Sequence, residues 1–119
     1  MEKTNRKRSK GTWIWQAFSG LLLIALLTLH MVAHHFVVEG GLRDFDDVLA
    51  YIRNPLIIIL EMTFLVVVTY HALVGLRAIL SDLGLKASTR KNVNVLLTVL
   101  GVVMVGWGFY LTWYLATQA

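Results

Sequence analysis

The sequence predicts an all-α membrane protein in which three transmembrane helices form an up-down-up bundle. Of its 119 residues, 57% are hydrophobic and 15% are charged, whereas soluble domains have about 25% charged residues. A chain this short cannot cover so much apolar surface within a water-soluble core, so lipid is the expected solvent. We expect residues 1–119 to form one membrane domain. The chain has no cysteine, which excludes disulfides, thiol catalysis and iron–sulfur ligation by this chain.

The first apolar run extends from Gly11 to Val38 without Asp, Glu, Lys or Arg. At about 1.5 Å per residue it is long enough to span about 30 Å of hydrocarbon, and we place the first transmembrane helix at about residues 12–38. A cleaved signal peptide would have an apolar segment of only about 7–15 residues, so we reject that interpretation. Residues 39–54 are read as the first loop.

Two further apolar runs follow. The second helix is predicted at about residues 55–81 and begins at Pro55, a residue suited to the first turn of a helix. Only Glu61 and Arg77 interrupt its apolar character. The third helix is predicted at about residues 92–117, a segment without charged side chains.

Positive charge lies in two places, a basic arm at residues 1–10 and the second loop. These contain Lys3, Arg6, Lys7, Arg8 and Lys10, and Lys86, Arg90 and Lys91, respectively. The first loop is net acidic. The positive-inside rule therefore puts the N-terminus and second loop in the cytoplasm, and the first loop and C-terminus outside the inner (cytoplasmic) membrane. A DNA-binding arm is the alternative, but an apolar run follows the arm at once, which favours a topology signal.

A polar stripe is predicted on the first helix. At about 100° per residue, its polar members fall within about 40° of one another. They are Thr12, Gln16, Ser19, His30 and His34. Such a stripe faces protein or cofactor rather than lipid. Helix packing supported by hydrogen bonds is the alternative to a functional site.

The second helix places His71 on one face with Gly75, Ala78 and Asp82. Neutral imidazole is a metal and haem ligand, and the small residues leave a flat floor for a porphyrin. Close helix packing explains the same residues without a cofactor. Arg77 lies off this face, where it either extends to the lipid headgroups or pairs with an anionic group such as a haem propionate.

Other chemistry is limited. Glu61 lies inside the second helix, where it is either a hydrogen-bonded structural carboxyl or part of a proton relay. The sequence contains no glycine-rich phosphate loop, nucleophile elbow or zinc motif. We therefore expect no autonomous active site and no catalytic residue in this chain.

A family resemblance is carried by two segments. Residues 71–82, HALVGLRAILSD, resemble the second helix of the membrane-anchor subunits of succinate dehydrogenase (succinate:quinone oxidoreductase) of the cytochrome b556 type. That family has His, three apolar residues, Gly, an apolar residue, often Arg, then Asp near the helix end. Residues 16–20, QAFSG, resemble the family's first-helix entry, which ends in Ser-Gly. Because the three-helix layout also matches, the likeness covers nearly the whole chain.

The resemblance implies an electron-transfer role in the respiratory chain and the tricarboxylic acid cycle. Such an anchor completes its bundle with a second three-helix anchor, and the pair docks the flavoprotein and iron–sulfur subunits on the cytoplasmic face. Electrons from succinate pass through the iron–sulfur subunit to a quinone near that face, and a haem b lies between the anchors. His71 maps onto the family's axial ligand of the haem iron, and the partner supplies the other ligand.

The resemblance also implies which residues contact the quinone. The family's arginine before the Ser-Gly step is replaced by Ala17, so we expect the partner anchor to supply most of the quinone site. Gln16, Ser19 and Asp82 are the local candidates.

His30 raises the question of a second haem, because some family members hold two. Counted from the helix ends, His30 lies about 20 Å from the cytoplasmic side and His71 about 13 Å. That difference is too large for one haem held by both, so His30 is a candidate ligand of a second, outer haem. Two other functions remain open: a cofactor-free structural protein whose histidines only form hydrogen bonds, and a small transporter or channel subunit that uses Glu61 and the histidines for protons.

Overall fold

A computed structural model describes the backbone of residues 2–119 and the side chains of residues 11–119; the side chains of the predicted basic arm, residues 1–10, lie outside this description. The described chain has four helices: α1 (Glu2–Phe36), α2 (Phe45–Ile52), α3 (Pro55–Asp82) and α4 (Ala87–Gln118). Three segments are long and apolar enough to cross a membrane: Gly11–Phe36, Pro55–Asp82 and Ala87–Gln118. The prediction of an all-α membrane protein with three spans is confirmed.

The helix bounds differ from the predicted ones at α1 and at the start of α4. α1 begins at Glu2 rather than about residue 12 and ends at Phe36 rather than residue 38. α3 begins at Pro55, and the Asn54 side chain caps it by accepting a hydrogen bond of 3.0 Å from the backbone N–H of Leu56. α4 begins at Ala87 rather than residue 92. The apolar run marks only the part of a helix that lies in lipid, and lysine and arginine are good helix formers. The helix therefore extends beyond the run through charged residues.

The first loop contains a short helix, α2, that the sequence analysis treats as loop. Asp44 caps it: its side chain accepts a 3.0 Å hydrogen bond from the Asp47 backbone N–H, and the Asp47 side chain accepts one of 3.3 Å from the Asp44 backbone N–H. This is a capping box with aspartate in place of the usual Glu or Gln. The last turn of α2 buries Tyr51 and Ile52, which are 3% and 9% exposed.

α3 is the central element, because it packs against both α1 and α4. Two glycines of α4 permit the close approach of α3: Gly101 faces Leu73 and Gly108 faces Leu65. A small core of Ala33, Tyr51, Ile52 and Ile57 closes the end of the bundle at α2.

Large apolar side chains remain exposed along the spans. Trp13 is 71% exposed, Leu21 68% and Val102 68%. Such faces are stable only against lipid or against other transmembrane helices.

Candidate functional site

His71 lies on α3 and faces α1. Its Nδ1 atom is 2.9 Å from Oγ of Ser19, and Ser19 is buried, with 5% of its surface exposed. One turn earlier on α1, the side-chain amide of Gln16 donates a 3.2 Å hydrogen bond to the backbone carbonyl of His71. The prediction that the polar stripe faces protein is confirmed for these two residues, and they meet the predicted haem ligand.

The Ser19 hydroxyl lies within hydrogen-bond distance of two groups, the backbone carbonyl of Gln16 at 3.0 Å and Nδ1 of His71 at 2.9 Å. When the hydroxyl donates its one hydrogen to the carbonyl, its oxygen accepts from His71, and Nδ1 of the imidazole carries the proton. In neutral histidine the other nitrogen, Nε2, then has a free lone pair. This is the tautomer that a metal-ligating histidine needs, with the non-ligating N–H held by a second group.

Gly20 forms the surface on which the His71 ring rests. A Cβ atom at Gly20 would lie 3.2 Å from Cε1 of His71, closer than ordinary carbon–carbon contact. Gly75 has a similar relation to Gln16, because a Cβ there would lie 3.0 Å from the Gln16 amide nitrogen. At Gly75, α1 therefore covers the face of α3 that was predicted to contact a porphyrin.

The structure places the other predicted site residues apart from His71. Arg77 points to α4, where it donates to the backbone carbonyl of Asn94 at 3.3 Å and to the hydroxyl of Thr98. Its Nε atom is buried and has no partner in the described structure. Asp82 is the exposed last residue of α3, about 16 Å along the helix axis from His71.

A second polar cluster lies near the α2 end of the bundle. Nδ1 of His30 is 2.8 Å from Oε2 of Glu61, and Nε2 of His34 is 3.7 Å from Oε1 of the same carboxyl group. The phenol of Tyr51 donates a hydrogen bond to Glu61. Burial of the phenol, the larger cause, and the hydrogen bond to Glu61, the smaller one, raise the pKa of Tyr51 above its ordinary value of 10.0. Tyr51 is therefore a neutral donor at physiological pH.

His30, His34 and Glu61 were identified from the sequence as polar candidates for a site. Tyr51 in this cluster and Gly20 beside His71 were not. The signal for Tyr51 was the Asp44–Asp47 capping pattern, which places a helix in the loop and turns the tyrosine inward. A cavity of about 440 Å³ adjoins the cluster and is otherwise lined mainly by apolar side chains.

Three spans, polar side chains paired between them and wide apolar outer faces define an integral membrane protein. Residues 5–111 match the family described as "Succinate dehydrogenase/Fumarate reductase transmembrane subunit", and the chain belongs to this family.

Two curated relatives carry the name "Succinate dehydrogenase hydrophobic membrane anchor subunit". The one from Archaeoglobus fulgidus is 32% identical over 99 residues, which are 83% of this chain and 84% of that protein. The one from Thermoplasma acidophilum is 27% identical over 93 residues, 78% of this chain and 76% of that protein. The predicted resemblance to the anchor subunits is confirmed, and an anchor subunit functions within a complex.

Proposed function

We propose that the chain binds haem b through Nε2 of His71 and helps to form the quinone site of a succinate:quinone oxidoreductase, passing electrons from succinate to quinone. The single observation that carries this proposal is the hydrogen bond between Ser19 and Nδ1 of His71. On this proposal Ser19 accepts from Nδ1, orients the ring and leaves Nε2 as the nitrogen with a free lone pair.

The residues around His71 fit a haem ligand in three respects. Ser19 forms a hydrogen bond with Nδ1, Gln16 donates to the backbone carbonyl of His71 from α1, and Gly20 leaves room for the ring. A bound haem would supply one-electron transfer within the membrane. On this proposal His71 would hold the haem iron, and the partner anchor would supply the other ligand. Arg77, with its unpaired Nε, is our candidate for contact with a propionate.

Gln16 and Ser19 are also our candidates for contact with the quinone. The Gln16 carbonyl oxygen Oε1 is buried and has no partner in the described structure. A buried acceptor of this kind costs free energy unless a donor reaches it. A quinol hydroxyl or a donor of the partner anchor would satisfy it. Asp82, exposed at the end of α3, is the third candidate. It would lie at the end of the quinone site nearest the lipid headgroups.

The proposed partners are a second membrane anchor, the iron–sulfur subunit and the flavoprotein subunit. The exposed apolar faces of the spans suit a second anchor. Positive charge at Arg90 and Lys91, both exposed at the start of α4, supports a cytoplasmic position for the α3–α4 loop. On this assignment the soluble subunits dock at the cytoplasmic face of the inner membrane.

The absorption spectrum of the purified complex tests the proposal. We expect a Soret band and a reducible α-band, together with succinate-dependent reduction of a quinone. A complex that reduces quinone with a featureless spectrum above the flavin and iron–sulfur background would contradict haem binding. It would leave the membership of the family intact.

A second haem at His30 stays a prediction. Nδ1 of His30 is held by Glu61, which leaves Nε2 as the nitrogen that would ligate an iron. Counting haems in the complex with His30→Ala tests it: one haem fewer than in the wild type supports the prediction, and an unchanged count contradicts it.

A further inference from the structure

The cluster at the α2 end of the bundle brings together the donor atoms of a metal site. His30, His34 and Glu61 each offer one ligand atom, and these atoms lie within 4.8 Å of one another. The two imidazole rings lie side by side, with centroids 4.0 Å apart. The carboxyl group of Glu61 faces both rings from α3.

The spacing of the ligands suits a small divalent ion. His30 and His34 are four residues apart on a helix, the arrangement by which paired helical histidines hold zinc. Ligands at about 2.0–2.1 Å in a tetrahedron are about 3.4 Å from one another. The distance from His34 Nε2 to Glu61 is 3.7 Å, and that from His30 Nδ1 is 2.8 Å. Movements of about half an ångström would bring these two distances to the ideal. The two imidazole nitrogens lie within 4.8 Å of each other, and both would close on a bound ion.

The electrostatics of Glu61 also favour a cation. Among the described residues, the ion-pairing partners of this carboxyl group are His30 and His34, the same two residues that offer nitrogen ligands to an ion. A carboxylate in a membrane span needs a compensating charge or protonation. A divalent ion would replace the hydrogen between His30 Nδ1 and Glu61, and the imidazole would carry its proton on Nε2.

Tyr51 and the cavity complete the site. The Tyr51 phenol donates to Glu61, as groups outside the ligand shell do when they orient a ligating carboxylate. The chain does not seal the cluster, since the His34 side chain is 34% exposed and those of His30 and Glu61 are 21% and 20% exposed. The adjoining cavity, about 440 Å³, leaves a fourth position open for water.

We propose that His30, His34 and Glu61 form a binding site for one divalent transition-metal ion of the zinc class, with Tyr51 orienting the carboxylate. The site is separate from His71 and does not depend on haem binding there. It is an alternative to a second haem on His30, because the zinc site uses Nδ1 of His30 and keeps the proton on Nε2, the nitrogen that a haem iron would need.

Metal binding to the purified complex tests the proposal. The complex is dialysed against Zn²⁺ at graded free concentrations, and bound zinc per complex is measured by elemental analysis. We expect the wild type to bind one zinc that is lost in His34→Ala and in Glu61→Gln. Glu61→Gln keeps the size of the side chain. Tyr51→Phe should weaken binding by about 10–100-fold.

His35→Ala is the matched control, because His35 is the exposed neighbour of His34 and lies outside the cluster. It should bind zinc as the wild type does. Two results would overturn the proposal: a wild type that binds no more zinc than Glu61→Gln, or a loss in His35→Ala equal to that in His34→Ala. Zinc-edge X-ray absorption of the wild type should show two imidazole ligands; their absence would also overturn it. Each variant is compared as an assembled complex, with assembly measured by subunit stoichiometry.

Discussion

At the scale of single residues, the site around His71 depends on two small neighbours on α1. Ser19 supplies a hydroxyl 2.9 Å from Nδ1, whose oxygen accepts from Nδ1 when its hydrogen is given to Gln16. Gly20 supplies space, because even a methyl group there would press on the ring. The sequence showed that Ser19 and His71 each lie on a polar or small-residue face. It did not show that the two faces meet, since helical periodicity defines a face and not its neighbour.

Gly20→Ala tests the space below the His71 ring. The added methyl would lie 3.2 Å from Cε1 of His71, so the ring must shift. We expect a changed haem spectrum or a lower haem content in the purified complex. Gly106→Ala is the control, because a Cβ there meets nothing within 4 Å; it should leave haem unchanged. Equal effects of the two substitutions, or no effect of either, would contradict the described packing.

At the scale of secondary-structure elements, the spans were predictable and α2 was not. Runs such as Gly11–Phe36 are apolar over the whole width of a bilayer, so their existence follows from composition alone. α2 has only eight residues, too few for a periodic pattern to stand out. Its capping box uses aspartate at both positions, so the sequence of this segment resembles that of any acidic loop. Tyr51 was therefore missed, although it completes the cluster around Glu61.

Asp44→Ala tests whether the cap holds α2 in place. Loss of an N-cap side chain costs about 0.5–2 kcal/mol, and in a helix of eight residues the cost should appear as local opening. We expect faster amide hydrogen exchange in residues 45–52 and little change in the spans.

Asp46→Ala is the control for that experiment. Asp46 lies in the same first turn and is exposed, but it forms no part of the capping box. Asp46→Ala should accelerate amide hydrogen exchange in α2 much less than Asp44→Ala does. Equal acceleration by both substitutions would show that charge near the helix N-terminus, rather than the cap, stabilises α2.

At the scale of the whole molecule, the chain is an incomplete bundle with wide apolar faces. Its three spans are long and apolar enough to cross a membrane, and the composition was enough to predict them. The orientation inferred from the placement of charge stays a prediction. The identity of the neighbouring subunits rests on family likeness, because no pattern in one chain encodes what covers an apolar face.

Topology reporters test the orientation. A periplasmic reporter fused after Ala119 should be active, and the same reporter inserted after Leu85, in the α3–α4 loop, should be inactive. The reason is the positive charge that flanks that loop. Reversed activities would contradict the orientation, and equal activities at the two positions would contradict a crossing by α4.

The most direct test of the central claim is the spectrum of the His71→Ala complex. Alanine removes the ligand and is the best helix former, so α3 should persist. We predict that the reduced-minus-oxidised spectrum loses the low-spin haem b signal or changes it to high spin, while succinate oxidation with an artificial acceptor survives. His35→Ala should match the wild type, and Ser19→Ala should retain haem with an altered spectrum, since only the hold on Nδ1 is lost. A His71→Ala spectrum identical to that of the wild type would show that His71 is a packing residue and that any haem is held elsewhere.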